Sequence, residues 1–392
     1  MTAVAAASRA FYLPPAWVAL DDGERLDLLE CSAGDRLELT GVLRAALVNG
    51  ERPAALAALA RCDELLASLA AALAVQPLRP LDRAGLLRGS GYGQLFVELT
   101  ARCNERCVHC YADSSPEREE ALEQDTVFAV LEDGRALGFQ RLQLTGGDPL
   151  ISPLCVPAAE RARALGYPQI EIYTNGLALG ERLLQQLAAQ QVAFAFSFYS
   201  ADPAVHDAIT RTPGSQRRTL DAIGRVLAAG LDARASIIAM DQNHAQVEAT
   251  RALLLACGLA AEAIHVDVQR SVGRGLMTIT PKASGLVTPA QPLGGHRQDA
   301  QWPFEGRAAV SYDGTVFPCI FSRAFPLGNV HAQRLQAILS DPVPLALDFA
   351  RMLREQMQRQ AQLSCWDCRV RAAVLATSGH ADPGASTRGA QP

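Results

Sequence analysis

Residues Leu95 to Asp113 read LFVELTARCNERCVHCYAD. An apolar run ending at Thr100 passes directly into Cys103, Cys107 and Cys110, a C-x3-C-x2-C spacing. The run is short and rich in Leu, Val and Phe, which predicts a strand buried on both faces. Three thiols within eight residues do not all fit an ordinary apolar core. On a tight loop they can turn to one side and ligate iron–sulfur metal as thiolates. A [4Fe–4S] cube takes four ligands, so three would leave one iron open to something else. Two plainer readings stand beside this one: a structural zinc site completed by His109, and unrelated buried thiols.

Downstream of the loop the pattern repeats. Short runs rich in Ile, Val and Phe predict strands at Leu95–Thr100, Arg141–Thr145, Gln169–Thr174, Ala193–Tyr199, Ala233–Ala239 and Ile264–Gln269. Helical periodicity fills 122–138, 154–166, 180–190, 216–229 and 244–257 between them. Six β/α units in a row predict an α/β fold, a partial (β/α)6 barrel of TIM type with its chemistry at the carboxyl ends of the strands. The core is expected to span 94–285.

The flanks differ. Residues 1–85 are expected to form a winged-helix-like domain, with a hairpin around Asp21-Asp-Gly23, an extended piece from Arg36 to Thr40, and helices holding Val42, Leu43 and Leu47 and then Ala54–Leu73. The Gly- and Pro-bearing stretch Pro77–Gly93, centred on 86–93, reads as a linker. Residues 286–375 suggest a small α+β extension: a hairpin around Asp313-Gly314, a helix near 332–361, and three more cysteines, Cys319, Cys365 and Cys368. Residues 376–392 read as a polar tail. Cys31 and Cys62 read as small buried thiols, and so do Cys155 and Cys257, which fall in expected helices.

Apolar residues make up 49% and charged residues 20% of the chain, the balance of a well-packed globular protein. A formal net charge of -5 excludes nucleic acid held mainly through a broad basic surface. No uncharged run reaches the roughly 18 apolar residues of a membrane span. The opening MTAVAAASRAFYLPP lacks the basic-then-apolar order of an export signal. Ten cysteines in that setting are expected to be reduced, and the compartment to be the cytoplasm.

At the strand ends lie Gly146-Gly147-Asp148-Pro149, then Tyr173-Thr174-Asn175-Gly176, then Ser197 with Arg211 beyond it, and finally Ser271-Val272-Gly273-Arg274-Gly275. Each is an ordinary turn taken alone. In this order, behind the cysteine loop, they resemble the radical S-adenosylmethionine (SAM) superfamily. By that resemblance Cys103, Cys107 and Cys110 hold a [4Fe–4S] cluster whose open iron chelates SAM. Gly146, Gly147, Asp148 and Pro149 would meet the methionyl amino group, mostly through backbone, with Asp148 where the family has Glu. Asn175 and Ser197 would bind the ribose or methionyl part and Arg211 the carboxylate. Val272 and Gly273 would lie beside the adenine with Tyr111 flanking it. The family's aromatic residue before the last cysteine is His109 here. Tyr173, Ser200 and Asp202 read as packing or capping residues.

Cys319, then Leu327-Gly-Asn-Val330, then Cys365-x2-Cys368 resembles the SPASM or twitch extension of radical SAM peptide-modifying enzymes. This implies an auxiliary iron–sulfur cluster, its fourth ligand being Cys155, Cys257 or a non-cysteine group; zinc or a cluster-free domain are the alternatives. Residues 1–85 look like a PqqD-type element that binds a precursor's leader peptide. The expected function is therefore maturation of a ribosomally made peptide, with flavodoxin or ferredoxin as electron donor. A radical SAM dehydrogenase or cyclase acting on a small metabolite is one alternative, and a non-catalytic metal-binding protein another. His265, Asp267 and Gln269 share one side of their strand, and no catalytic base is assigned.

Overall fold

The computed structural model describes residues 9–13, 17–21, 24–30, 36–40, 44, 79–80, 83–88, 91–269, 272–277, 306–323 and 326–341. The chain divides into two compact units, and the second contains residues 87–341.

In the first unit, strands β1 (Arg9–Leu13), β2 (Trp17–Asp21), β3 (Arg25–Glu30), β4 (Arg36–Thr40) and β5 (Arg79–Pro80) form an antiparallel sheet in the order β4-β3-β2-β1-β5. The expected hairpin pairing is there, with Asp21 opposite Leu26. Strand β1 was not expected; its Phe11-Tyr12-Leu13 run is too short to show alternation. Of the helices expected over 42–47 and 54–73, all but residue 44, which is helical, lies outside the described residues. The stretch read as linker carries β5 and a short helix, α1 (Arg83–Arg88).

In the second unit the predicted alternation is present. Strands β6 (Gln94–Glu98), β7 (Arg141–Thr145), β8 (Gln169–Thr174), β9 (Ala193–Ser197), β10 (Ala233–Ala239) and β11 (Ile264–Val268) pair in parallel, each with its successor. Helices α2 (Gln124–Leu137), α3 (Cys155–Ala164) and α4 (Glu181–Ala188) connect the first four strands. Two helices, α5 (Pro203–Thr210) and α6 (Ser215–Ala228), lie between β9 and β10, and α7 (Val247–Ala256) precedes β11. Helix α5 was not expected. Its start is nonetheless written locally: the Asp202 side chain accepts from Ala204 N at 2.8 Å and Pro203 opens the first turn.

Helices cover one face of the sheet. Gly134 of α2 lies against Leu95, and Ala222 of α6 approaches Phe196 beside Gly176. The opposite face carries Phe96, Gln143 and Glu171, in register across β6, β7 and β8, and Arg234 two strands on from Glu171. That polar face looks toward the site.

The C-terminal hairpin continues the core sheet. Strand β12 (Arg307–Val310) pairs in parallel with β6, from Arg307–Gln94 to Val310–Val97. Strands β13 (Thr315–Phe317) and β14 (Gly328–Asn329) follow antiparallel, and α8 (Leu335–Ser340) packs on α2. The boundary expected at 285 thus marks no break in the sheet, because β6 offers an open edge that β12 fills. Cys365, Cys368 and most of the helix expected over 332–361 lie outside the described residues.

Candidate iron–sulfur and SAM site

The cysteine loop leaves β6 and is pinned from three sides. Arg106 N donates to Thr210 O (3.1 Å) and Val108 N to Ile209 O (2.9 Å), so the end of α5 holds its middle. Cys103 N donates to Ser115 O at 3.1 Å. The third clamp is Arg274, from the turn after β11. Its backbone N donates to Cys110 O (3.0 Å), Nε to Cys107 O (2.9 Å), one terminal nitrogen to Ser114 O (2.8 Å) and the other to Asp113 Oδ1 (2.8 Å). Sequence reasoning named Val272 and Gly273 in this turn but passed over Arg274, whose partners lie some 160 residues away. Gly273, at φ +58°, brings the turn so close that a Cβ there would strike Cys110 O and Tyr111 O.

The glycine segment reaches the loop from β7. Gly147 N donates to Thr100 O at 2.6 Å and Asp148 N to Arg102 O at 3.0 Å. A Cβ on Gly147 would overlap Arg102 O, so only glycine fits this approach. The Asp148 carboxylate is wholly buried and fully used. Its Oδ1 accepts from Leu150 N (2.9 Å), and its Oδ2 from Thr174 Oγ1 (2.6 Å) and Asn175 N (3.0 Å). The side chain thereby ties β7 to β8 and leaves backbone as the segment's means of meeting a ligand. Gly147 is its partly open point, between buried Gly146 and Pro149. Asn175 extends Nδ2 to Asn104 Oδ1 (2.6 Å) and stands 3.8 Å from Cys103 Sγ.

The cysteine loop, the glycine segment, Asn175 and the turn of Val272 and Gly273 are therefore brought together. Ser197 ends β9 half-buried, in register with Ser236. Arg211 does not join the group through its side chain: that is exposed, and the residue's role visible here is to close α5 in the left-handed conformation at φ 53°.

Burial pushes the thiols of Cys103 and Cys107 well above their ordinary value, reinforced at Cys103 by Asp148 and at Cys107 by Glu105. Burial also lifts Glu105 to about 7, against the lowering effect of its contact with the Cys107 thiol, 3.3 Å from Oε2. His109 is held down to about 4 by burial and then by Arg274. Burial thus disfavours thiolate at Cys103 and Cys107 in the metal-free loop, and a cationic metal would supply the charge that favours it.

The residues present fit such a group. Four buried polar atoms on the loop make no close hydrogen bond among the described residues: Glu105 Oε1, His109 Nδ1, Tyr111 OH and Ser114 Oγ, with Asn175 near Glu105 and Thr145 near Tyr111. Backbone at Gly147 closes one side. Among the described residues no three His, Cys, Asp or Glu side chains converge on a single ion; in a cube each thiolate meets its own iron.

Cys319 is buried against Phe96, Phe317 and Ile320, and Tyr111 and Phe321 pack on the same cluster. Cys155 begins α3 and Cys257 follows α7.

Two stretches of the chain match family models. Residues 97–254 match the model of the radical SAM superfamily, and residues 303–369 that of an iron–sulfur cluster-binding domain, SPASM. A GTP 3',8-cyclase of Geobacter sulfurreducens is 32% identical over 148 residues, 36% of this chain and 44% of that protein. The antilisterial bacteriocin subtilosin biosynthesis protein AlbA of Bacillus subtilis is 24% identical over 282 residues, 63% of this chain and 59% of that protein. The chain thus spans less than two thirds of these relatives. Among solved structures, Streptococcus suis SuiB bound to its precursor peptide SuiA superposes with a TM-score of 0.52 at 12% identity, covering 86% of this chain and 88% of SuiB. At that identity the likeness is one of fold. Among the described residues no helix is long and apolar enough to cross a membrane.

Proposed function

We propose that this chain, which carries a radical SAM domain followed by an SPASM domain, matures a ribosomally made peptide. The observation that carries the reading is the joint: three cysteines on a loop pinned by Arg274 and faced by a glycine backbone, in a sheet extended by the Cys319 hairpin. When bound, the cluster and SAM supply reductive cleavage to methionine and a 5'-deoxyadenosyl radical, which takes hydrogen from the substrate. Cys103, Cys107 and Cys110 are the ligands we assign, leaving one iron for SAM. Gly146 to Pro149 receive the methionyl amino group through backbone. Asn175 and Ser197 orient the ribose or methionyl part, and Arg211 swings to the carboxylate. Tyr111, Val272 and Gly273 enclose the adenine.

The bacteriocin-pathway relative and the peptide-bound SuiB fold support a peptide substrate. Residues 1–85 then serve as leader-binding element, a low-potential protein such as flavodoxin or ferredoxin supplies electrons, and the compartment is the cytoplasm. Cys319, Cys365 and Cys368 would hold the auxiliary cluster that an SPASM domain implies, and such a cluster would supply redox chemistry that favours crosslinking or oxidation as the outcome. A second reading, a small-metabolite substrate, draws on the GTP 3',8-cyclase similarity, which covers only about a third of the chain.

Anaerobic reconstitution with SAM and dithionite tests the chemistry: 5'-deoxyadenosine should form in wild type and fall to background in Cys103→Ala. Coexpression with a short peptide encoded beside the gene tests the substrate by its mass change. An unchanged peptide, alongside turnover of a nucleotide or other metabolite, would favour the second reading.

A further inference from the structure

Four residues beyond Cys319, a buried arginine reaches back to the cysteine loop. The Arg323 side chain is 18% exposed and ion-paired with Glu98, the last residue of β6, itself 1% exposed. Ser311 Oγ lies 2.9 Å from the other Glu98 oxygen and 3.4 Å from an Arg323 terminal nitrogen. The guanidinium carbon stands 5.3 Å from the centre of the Tyr111 ring, 5.7 Å from Tyr312 and 5.8 Å from Phe317. Phe321, from the same turn, meets Tyr111 edge-on at 5.5 Å. The Tyr111 hydroxyl is buried with only Thr145 beside it and makes no close hydrogen bond among the described residues, so these ring contacts dominate in fixing where the ring lies.

A buried ion pair is costly and can often be replaced by apolar side chains without loss of stability. What an arginine supplies here that an apolar residue does not is a planar cation that can pair with Glu98 and lie against rings at once. We infer that Arg323 is a positioning residue which, with Phe321, sets the Tyr111 ring against SAM, so that the turn bearing Cys319 governs SAM affinity. This rests on the reading of Tyr111 as the adenine-flanking residue.

The test is a double-mutant cycle on the anaerobically reconstituted full chain, reading the SAM dissociation constant from the change that SAM makes in the electron paramagnetic resonance spectrum of the reduced cluster. Tyr111→Ala and Arg323→Lys should each weaken SAM by roughly tenfold. In the Tyr111→Ala background, Arg323→Lys should change the affinity no further. The paired variant Glu98→Gln with Arg323→Met leaves no unmatched charge and should weaken SAM as Arg323→Lys does. If Tyr111→Ala binds SAM normally, the reading of Tyr111 fails and this inference with it. If Tyr111→Ala weakens SAM but Arg323→Lys and the paired variant do not, or if the effects add, the inference alone is overturned.

Discussion

The two faces of the parallel sheet are built from opposite materials. Toward the helices stand Leu95, Val97, Leu144, Ile172, Phe194, Phe196 and Ile237, none with measurable exposure. Toward the site stand Glu98, Gln143, Glu171, Arg234 and Ser236, nearly as buried. The helix face needs only volume, and each filled site is stabilised by removal from water. The site face pays in desolvation and must answer every charge. Arg234 meets Glu171 through Nε (2.9 Å) and a terminal nitrogen (2.7 Å), its other terminal nitrogen meets Ser236 Oγ (2.9 Å), and Gln143 completes Glu171 Oε2 at 3.0 Å. One face specifies that the chain folds; the other specifies what the folded chain can hold.

The largest effect that would sharpen this contrast lies at the ends of the strands. Cys107→Ala should leave the chain folded by circular dichroism, yet unable to retain the first cluster; its visible absorption and 5'-deoxyadenosine formation should both be lost. Phe194→Ala, on the helix face, should do the reverse. It should cost about 3–5 kcal/mol in denaturant unfolding while the molecules that remain folded bind SAM with unchanged affinity.

Next in size is the ion pair on the site face. Arg234→Met strands the buried Glu171 carboxylate and should destabilise by about 3–5 kcal/mol. Adding Glu171→Leu should restore most of the loss. If the double variant is as unstable as the single, the polar face contributes to folding as the apolar one does, and the contrast breaks.

The smallest effect is one of pH. His206 of α5 is buried against Phe198 and Tyr199, and its Nδ1 accepts from Tyr199 N at 3.3 Å. Burial holds it down to about 4, against the opposing pull of Asp207. The unfolded chain takes up that proton near its ordinary value of about 6.5, so stability is full above that pH and falls as the pH declines toward 4. Between pH 7 and pH 5 the loss should be about 2 kcal/mol. His206→Gln should flatten the dependence in denaturant titrations; His109, also held near 4, adds a similar slope in the metal-free chain.

Much of this could be read from local pattern. Short apolar runs located the six strands β6 to β11 to within a residue or two, since a strand buried on both faces needs no distant information to look like one. The glycines at 146 and 147 were legible because close backbone approach tolerates nothing else. Arg274, Glu98 and Arg323 were not. Their meaning lies in partners roughly 160 and 225 positions away, and a lone charged residue at a strand end or in a turn looks like solvated surface. Asp148 was read with the ligand-facing segment, although its carboxylate is consumed by Thr174 and Asn175; the sequence shows which residue follows two glycines, not which way it turns. The addition of β12 to β6 was hidden for the same reason: a free sheet edge is a property of the assembled sheet.

That pairing also sets an order of events. Gln94 and Arg307 stand side by side in the finished sheet but are 213 positions apart in the chain. At ordinary elongation rates the partner of β6 leaves the ribosome about 10–40 s after it. Until β12 arrives, β6 has at least one edge open and Glu98 has no Arg323 to answer it. A chain truncated before residue 307 should therefore leave that edge of β6 and the Glu98 carboxylate unanswered beside the cysteine loop.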